Sequence, residues 1–76
     1  VFYIYGQIQR PGSYRLDKEM TVMQALAVSG SVTSRGSERG IKIKRKNSEG
    51  VIEVIPVEQT DVILPNDVIY VKESLF

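Results

Sequence analysis

The sequence contains no cysteine and no histidine. The first absence excludes a disulfide framework; together they exclude a thiolate or imidazole metal site within the chain. Histidine is also the commonest general base, and a nucleophile needs a base within hydrogen-bond reach. Apolar runs such as VFYIY (1–5) and ALAV (25–28) fall far short of the ~18–20 residues that span a bilayer. No internal repeat, low-complexity tract or signal-peptide pattern is present. Net charge is close to balance at +1, which argues for neither an acidic nor a basic partner.

What is present is an ordinary globular composition. The 76 residues are 42% hydrophobic and 25% charged, too apolar for a disordered tail. A chain of this length makes one small domain, burying roughly 60–65% of its unfolded surface. It opens on Val1, already in strand-like sequence, and closes on ESLF. Residues 1–76 therefore read as a single domain cut from a longer protein.

Residues 1–8 (VFYIYGQI) are rich in β-branched and aromatic types and predict a strand. Phe2, Ile4 and Ile8 share one face, and Val1, Tyr3, Tyr5 and Gln7 the other. Arg10-Pro11-Gly12-Ser13 has type II turn chemistry: Pro11 pre-sets φ and Gly12 accepts a positive one. Ser13–Leu16 is then the return strand of a tight hairpin. The period changes at Thr21. Thr21 and Gln24 fit a capping box, Val22, Ala25 and Leu26 form an apolar stripe, and Gly30 suits the left-handed position after a short helix over about residues 21–29.

Residues 29–40 read as a polar, glycine-punctuated loop. IKIKRK (41–46) alternates with period 2, NSEG is a turn, and VIEVIPV (51–57) is a strand that Pro56 demotes to an edge or bulge. After the turn TDVILPND, DVIYVKES (67–74) is the last strand. A sheet with one apolar face and a single helix to cover it predicts an α+β roll of the β-grasp type.

No catalytic constellation emerges. Asp17, Asp61, Asp67 and six glutamates are scattered and read as solvated charge and turn caps. RGSERG (35–40) lacks the phosphate-loop spacing and runs from helix to strand, the reverse of a phosphate loop. It reads as a loop carrying Arg35 and Arg39, either solvated or turned to an anion. Lys42, Lys44 and Lys46 form a basic strand face that suits either phosphate binding or protection of an edge strand. Tyr3 and Tyr5 offer stacking surface for sugars or bases, or pack across the sheet.

Taken together, VFYIYGQIQRPGSYRL, TVMQALAVSGSV and LPNDVIYVKESLF resemble the SLBB domain (soluble-ligand-binding β-grasp), above all the copies in outer-membrane polysaccharide export proteins. Gly6, Pro11, Gly12 and Tyr14 match the family's first hairpin. Ala25 and Gly30 match its helix, and Pro65, Asp67, Ile69 and Val71 its last strand. Ser29 and Asn66 stand where the family usually has glycine. The resemblance implies a non-enzymatic structural and oligomerisation module of a periplasmic export conduit, with no cofactor, metal or catalytic residue. Its implied partners are other copies of the parent chain in a ring, the polysaccharide, and an inner-membrane chain-length or copolymerase protein, with no nucleic acid. Tyr3, Tyr5, Arg35 and Arg39 are the candidate carbohydrate contacts. The alternatives are a soluble carbohydrate-binding module and an RNA-binding or regulatory β-grasp domain using the lysine face.

Overall fold

The computed structural model describes residues 1–17, 19–37 and 39–73. Alternating apolar and polar residues fold into β1 (Phe2–Gly6), β2 (Gly12–Tyr14), β3 (Lys42–Lys46), β4 (Ile52–Pro56) and β5 (Val68–Val71), and the one helix among the described residues, α1, covers Val22–Val28. The sheet order is β2-β1-β5-β3-β4. β1 runs parallel to β5, and the other neighbours are antiparallel. With one helix on one face of a mixed sheet, this is an α+β, β-grasp-like fold. Ser74, the last residue of the expected final strand, lies outside the described residues.

One face of the sheet and the helix stripe enclose the core. Phe2, Ile4, Ile43, Ile69 and Val71 point inward against Val22, Ala25 and Leu26, joined by Ile8, Met20, Ile41 and Ile63. Alternate positions point the other way, so Tyr3 and Tyr5 are exposed while Phe2 and Ile4 are buried.

The helix ends follow their sequence signals. Thr21 and Gln24 form the reciprocal capping box, and the amides of Val22 and Met23 donate to the carbonyls of Asp61 and Gln59. At the other end Ser31 N–H donates to Leu26 O and Gly30 N–H to Ala27 O, a Schellman closure with Gly30 at φ 88°. Ser29 sits at φ −90°, so replacing glycine there costs no backbone strain. Its buried hydroxyl reaches the carbonyls of Ala25 and Leu26 at 2.9 and 3.0 Å.

The first hairpin departs from expectation. Gly12 is already in β2, opposite Ile4, and its φ of 150° is far from the ~80° of a type II turn. β1 stops at Gly6, and Gln7–Pro11 forms a wider connection docked on the chain after the helix. Gln9 and Arg10 donate their amides to Ser31 and Ser29 carbonyls, and Ile8 bridges to Val32. Tyr14 stacks on Phe2, with ring centroids 5.8 Å apart, and its hydroxyl donates to the Arg10 carbonyl. Leu16, expected in the return strand, packs on the core beyond it.

Type II geometry appears instead at Leu64–Asp67. Pro65 precedes Asn66 at φ 67°, and Asp67 N–H donates to Leu64 O at 3.1 Å. Asparagine therefore replaces glycine without loss of the turn. Pro56 does lie on an edge strand, β4, whereas the lysine-bearing β3 is interior. Protection of an edge consequently does not explain Lys42, Lys44 and Lys46.

Candidate functional site: the helix-free face of the sheet

Since the helix covers one face, the opposite face is open, and its composition follows from register. Tyr5, Tyr70, Lys42 and Pro56 are paired in sequence across β1, β5, β3 and β4; Tyr3, Val68, Lys44 and Val54 form the next row, and Lys46 faces Ile52 beyond it. Directly paired residues project to the same side of a sheet. These rows therefore place tyrosines on one flank, lysines in the middle and aliphatic residues at the β4 edge.

The tyrosines make a platform. Tyr5 and Tyr70 lie with ring centroids 4.9 Å apart and planes tilted by 43°. Lys44 reaches across β5 to put its ammonium 5.7 Å from the centre of the Tyr5 ring, within cation–π range. Tyr3, Tyr5, Ile52 and Val54 keep 42%, 36%, 59% and 55% of their surface exposed. A groove of about 580 Å³ opens beside Lys44 and Lys46, between Ile52 and the Leu64–Val68 turn. That volume falls in the ~300–1,000 Å³ range of small-ligand sites.

The groove's wall is fixed by an inward-facing pair, Arg45 and Asp67. Arg45 alternates with Ile41 and Ile43, so it points inward, away from the lysines. Its Nε and Nη2 donate to the two oxygens of buried Asp67 at 2.9 and 2.6 Å. Asp67 also accepts the Leu64 amide at 2.8 Å, tying the turn to β3. The hydrogen bond to Asp67 raises the already high pKa of Arg45, opposed by burial of the guanidinium and reinforced by the charges of Asp67 and Asp61. The sequence signal for the pair was the in-phase arginine following two inward isoleucines.

The expected site residues divide into two groups. Tyr3 and Tyr5 lie on the open face, where Tyr70 joins them. Arg35 and Arg39 lie on the 31–40 loop, which docks at the C-terminal end of β5. Arg35 pairs with Glu73 at 3.6 Å, and Ser37 and Gly36 attach that loop to Lys72 and Glu73. Among the described residues no recorded contact joins either arginine to the tyrosines. The motif residues Gly6, Pro11, Gly12, Tyr14, Gly30, Pro65 and Asp67 sit in turns, caps, strand pairs and packing contacts, and of these Pro65 and Asp67 also line the groove.

A model of the SLBB domain matches residues 1–56. The chain belongs to the SLBB family. No curated protein matches it. The SLBB match takes in β1–β4 and the helix and stops before β5, the strand between β1 and β3 that supplies Val68 and Tyr70 to the open face. The SLBB family is one of binding domains. Among the described residues, no group of three or more acidic side chains is placed to hold a metal, and no helix is long and apolar enough to cross a membrane.

Proposed function

We propose that this SLBB chain is a non-enzymatic module of a polysaccharide export conduit in the periplasm. It assembles with other copies of its parent chain and presents the helix-free face of its sheet to the polymer. The module positions and lines, and supplies no chemical step. The observation that carries this reading is the Tyr5–Tyr70 platform with Tyr3 beside it on an open, solvent-facing sheet, since rigid aromatic faces stack on sugar rings at little entropic cost. Contacts between copies are assigned to the β4 edge, where Val51, Ile52 and Val54 are exposed and unpaired backbone is available to a neighbour. An inner-membrane chain-length protein is a further partner of the same assembly.

The test replaces Tyr3 and Tyr5 with serine in the parent protein. Both side chains face solvent, so folding and assembly are expected to persist while polysaccharide at the cell surface falls sharply. Unchanged export from an assembled double variant would contradict the proposal.

A further inference from the structure

The charge on the open face is segregated far beyond what the net charge of +1 suggests. Lys42, Lys44 and Lys46 project from one strand at alternate positions, roughly 6–7 Å apart. No carboxylate occupies the paired outward positions. Glu53, the acidic residue of β4, is paired with Arg45 and therefore faces the other side. Among the described residues, none of the three lysines has a carboxylate within ion-pair distance. Among the described residues, three cations thus stand beside an aromatic platform with no carboxylate paired to them.

We infer that this face takes an anionic polysaccharide. Acidic substituents, such as uronate carboxylates, lie along Lys42, Lys44 and Lys46, and a sugar ring stacks on the Tyr5–Tyr70 pair. The groove between Ile52 and the Leu64–Val68 turn receives a neighbouring unit. The inference rests on the reading that polymer meets this face, and adds its charge class. Lysine suits that ligand because its ammonium acts as a point charge on a flexible stem, adaptable to spaced carboxylates. Arginine, whose fork binds carboxylate and phosphate alike, is not available on this face, because Arg45 is engaged inward by Asp67. The tilted contact of Tyr5 with Tyr70, with Lys44 over the Tyr5 ring, leaves one composite platform, not a series of separate ones for the successive bases of a nucleic acid.

Amide NMR of the chain, titrated with a short oligogalacturonate, a neutral malto-oligosaccharide and oligothymidylate, tests the inference. The oligogalacturonate is expected to shift the amides of β1, β3 and β5, and to bind less tightly as salt is raised. The triple variant Lys42→Gln, Lys44→Gln, Lys46→Gln should keep its melting temperature and lose affinity by about tenfold. Equal binding of both glycans to this face, indifferent to the triple variant, would overturn the anionic assignment and leave polymer contact intact. If neither glycan perturbed the face, both the anionic assignment and the polymer contact would be overturned. Tighter binding of oligothymidylate than of oligogalacturonate would overturn the inference in favour of nucleic acid.

Discussion

Gly6 and Gly12 flank the same connection, yet they are needed for different reasons. Gly6 has φ 98°, and a Cβ there would lie 2.2 Å from the carbonyl oxygen of Val71. That neighbour is backbone of the parallel partner strand, so neither side yields without breaking the β1–β5 pairing. Gly12 has φ 150° with nothing within 4 Å of where a Cβ would stand, which leaves only conformational strain. Gly6→Ala should therefore cost about 2–4 kcal/mol and Gly12→Ala about 1 kcal/mol. Thermal unfolding of the two variants checks the order; equal losses would contradict the parallel-pair explanation. Both glycines were legible as motif residues. Their ranking was not, because the atom that Gly6 must avoid is 65 residues away in sequence and only the strand pairing brings it close.

At the scale of elements, the helix was the most readable feature, because its signals are local. Thr21, Gln24 and Gly30 act within a few residues of themselves, and the structure places all three as expected. The helix start has extra support that a local reading misses: carbonyls of Asp61 and Gln59 accept its first two amides. Thr21→Ala should accordingly cost only about 0.5–1 kcal/mol, the low end for a lost N-cap, with the helical signal in circular dichroism retained below the unfolding transition. Complete loss of helix would show that the 57–63 segment does not hold it. Turns were less readable. Pro11-Gly12 and Pro65-Asn66 carry similar chemistry, but Gly12 is drawn into the sheet by its pairing with Ile4. Asn66 is left free to take the positive φ. β3 was found as a strand, but one of the two readings of its lysine face, protection of an edge, fails because alternation reports faces and says nothing of neighbours.

For the whole molecule, the consequence of one helix on one sheet is an asymmetric object: a closed apolar core on one side and an open tyrosine–lysine face on the other. Sequence periodicity assigned Tyr3 and Tyr5 to a common side, while the loop that carries Arg35 and Arg39 docks on Gln7, Lys72 and Glu73, just beyond Tyr5 and Tyr70 in sequence. Tyr70 and Lys44 are brought to Tyr5 by β5 running between β1 and β3. A stable interface buries about 800 Å² per partner, about a seventh of the 5245 Å² this chain exposes. Single contacts along the β4 edge are therefore expected to be weak and to gain strength when many copies are presented together.

The central claim is that polymer lies on the helix-free face. The four tyrosines provide the most direct measurement: nitration of the assembled parent protein, with and without its polysaccharide, followed by mass spectrometry of each tyrosine peptide. Tyr14 stacks on Phe2 and serves as the internal reference. Polymer should protect Tyr3, Tyr5 and Tyr70 while leaving the reactivity of Tyr14 unchanged. Unaltered nitration of the three sheet-face tyrosines in the polymer-loaded assembly would contradict the account.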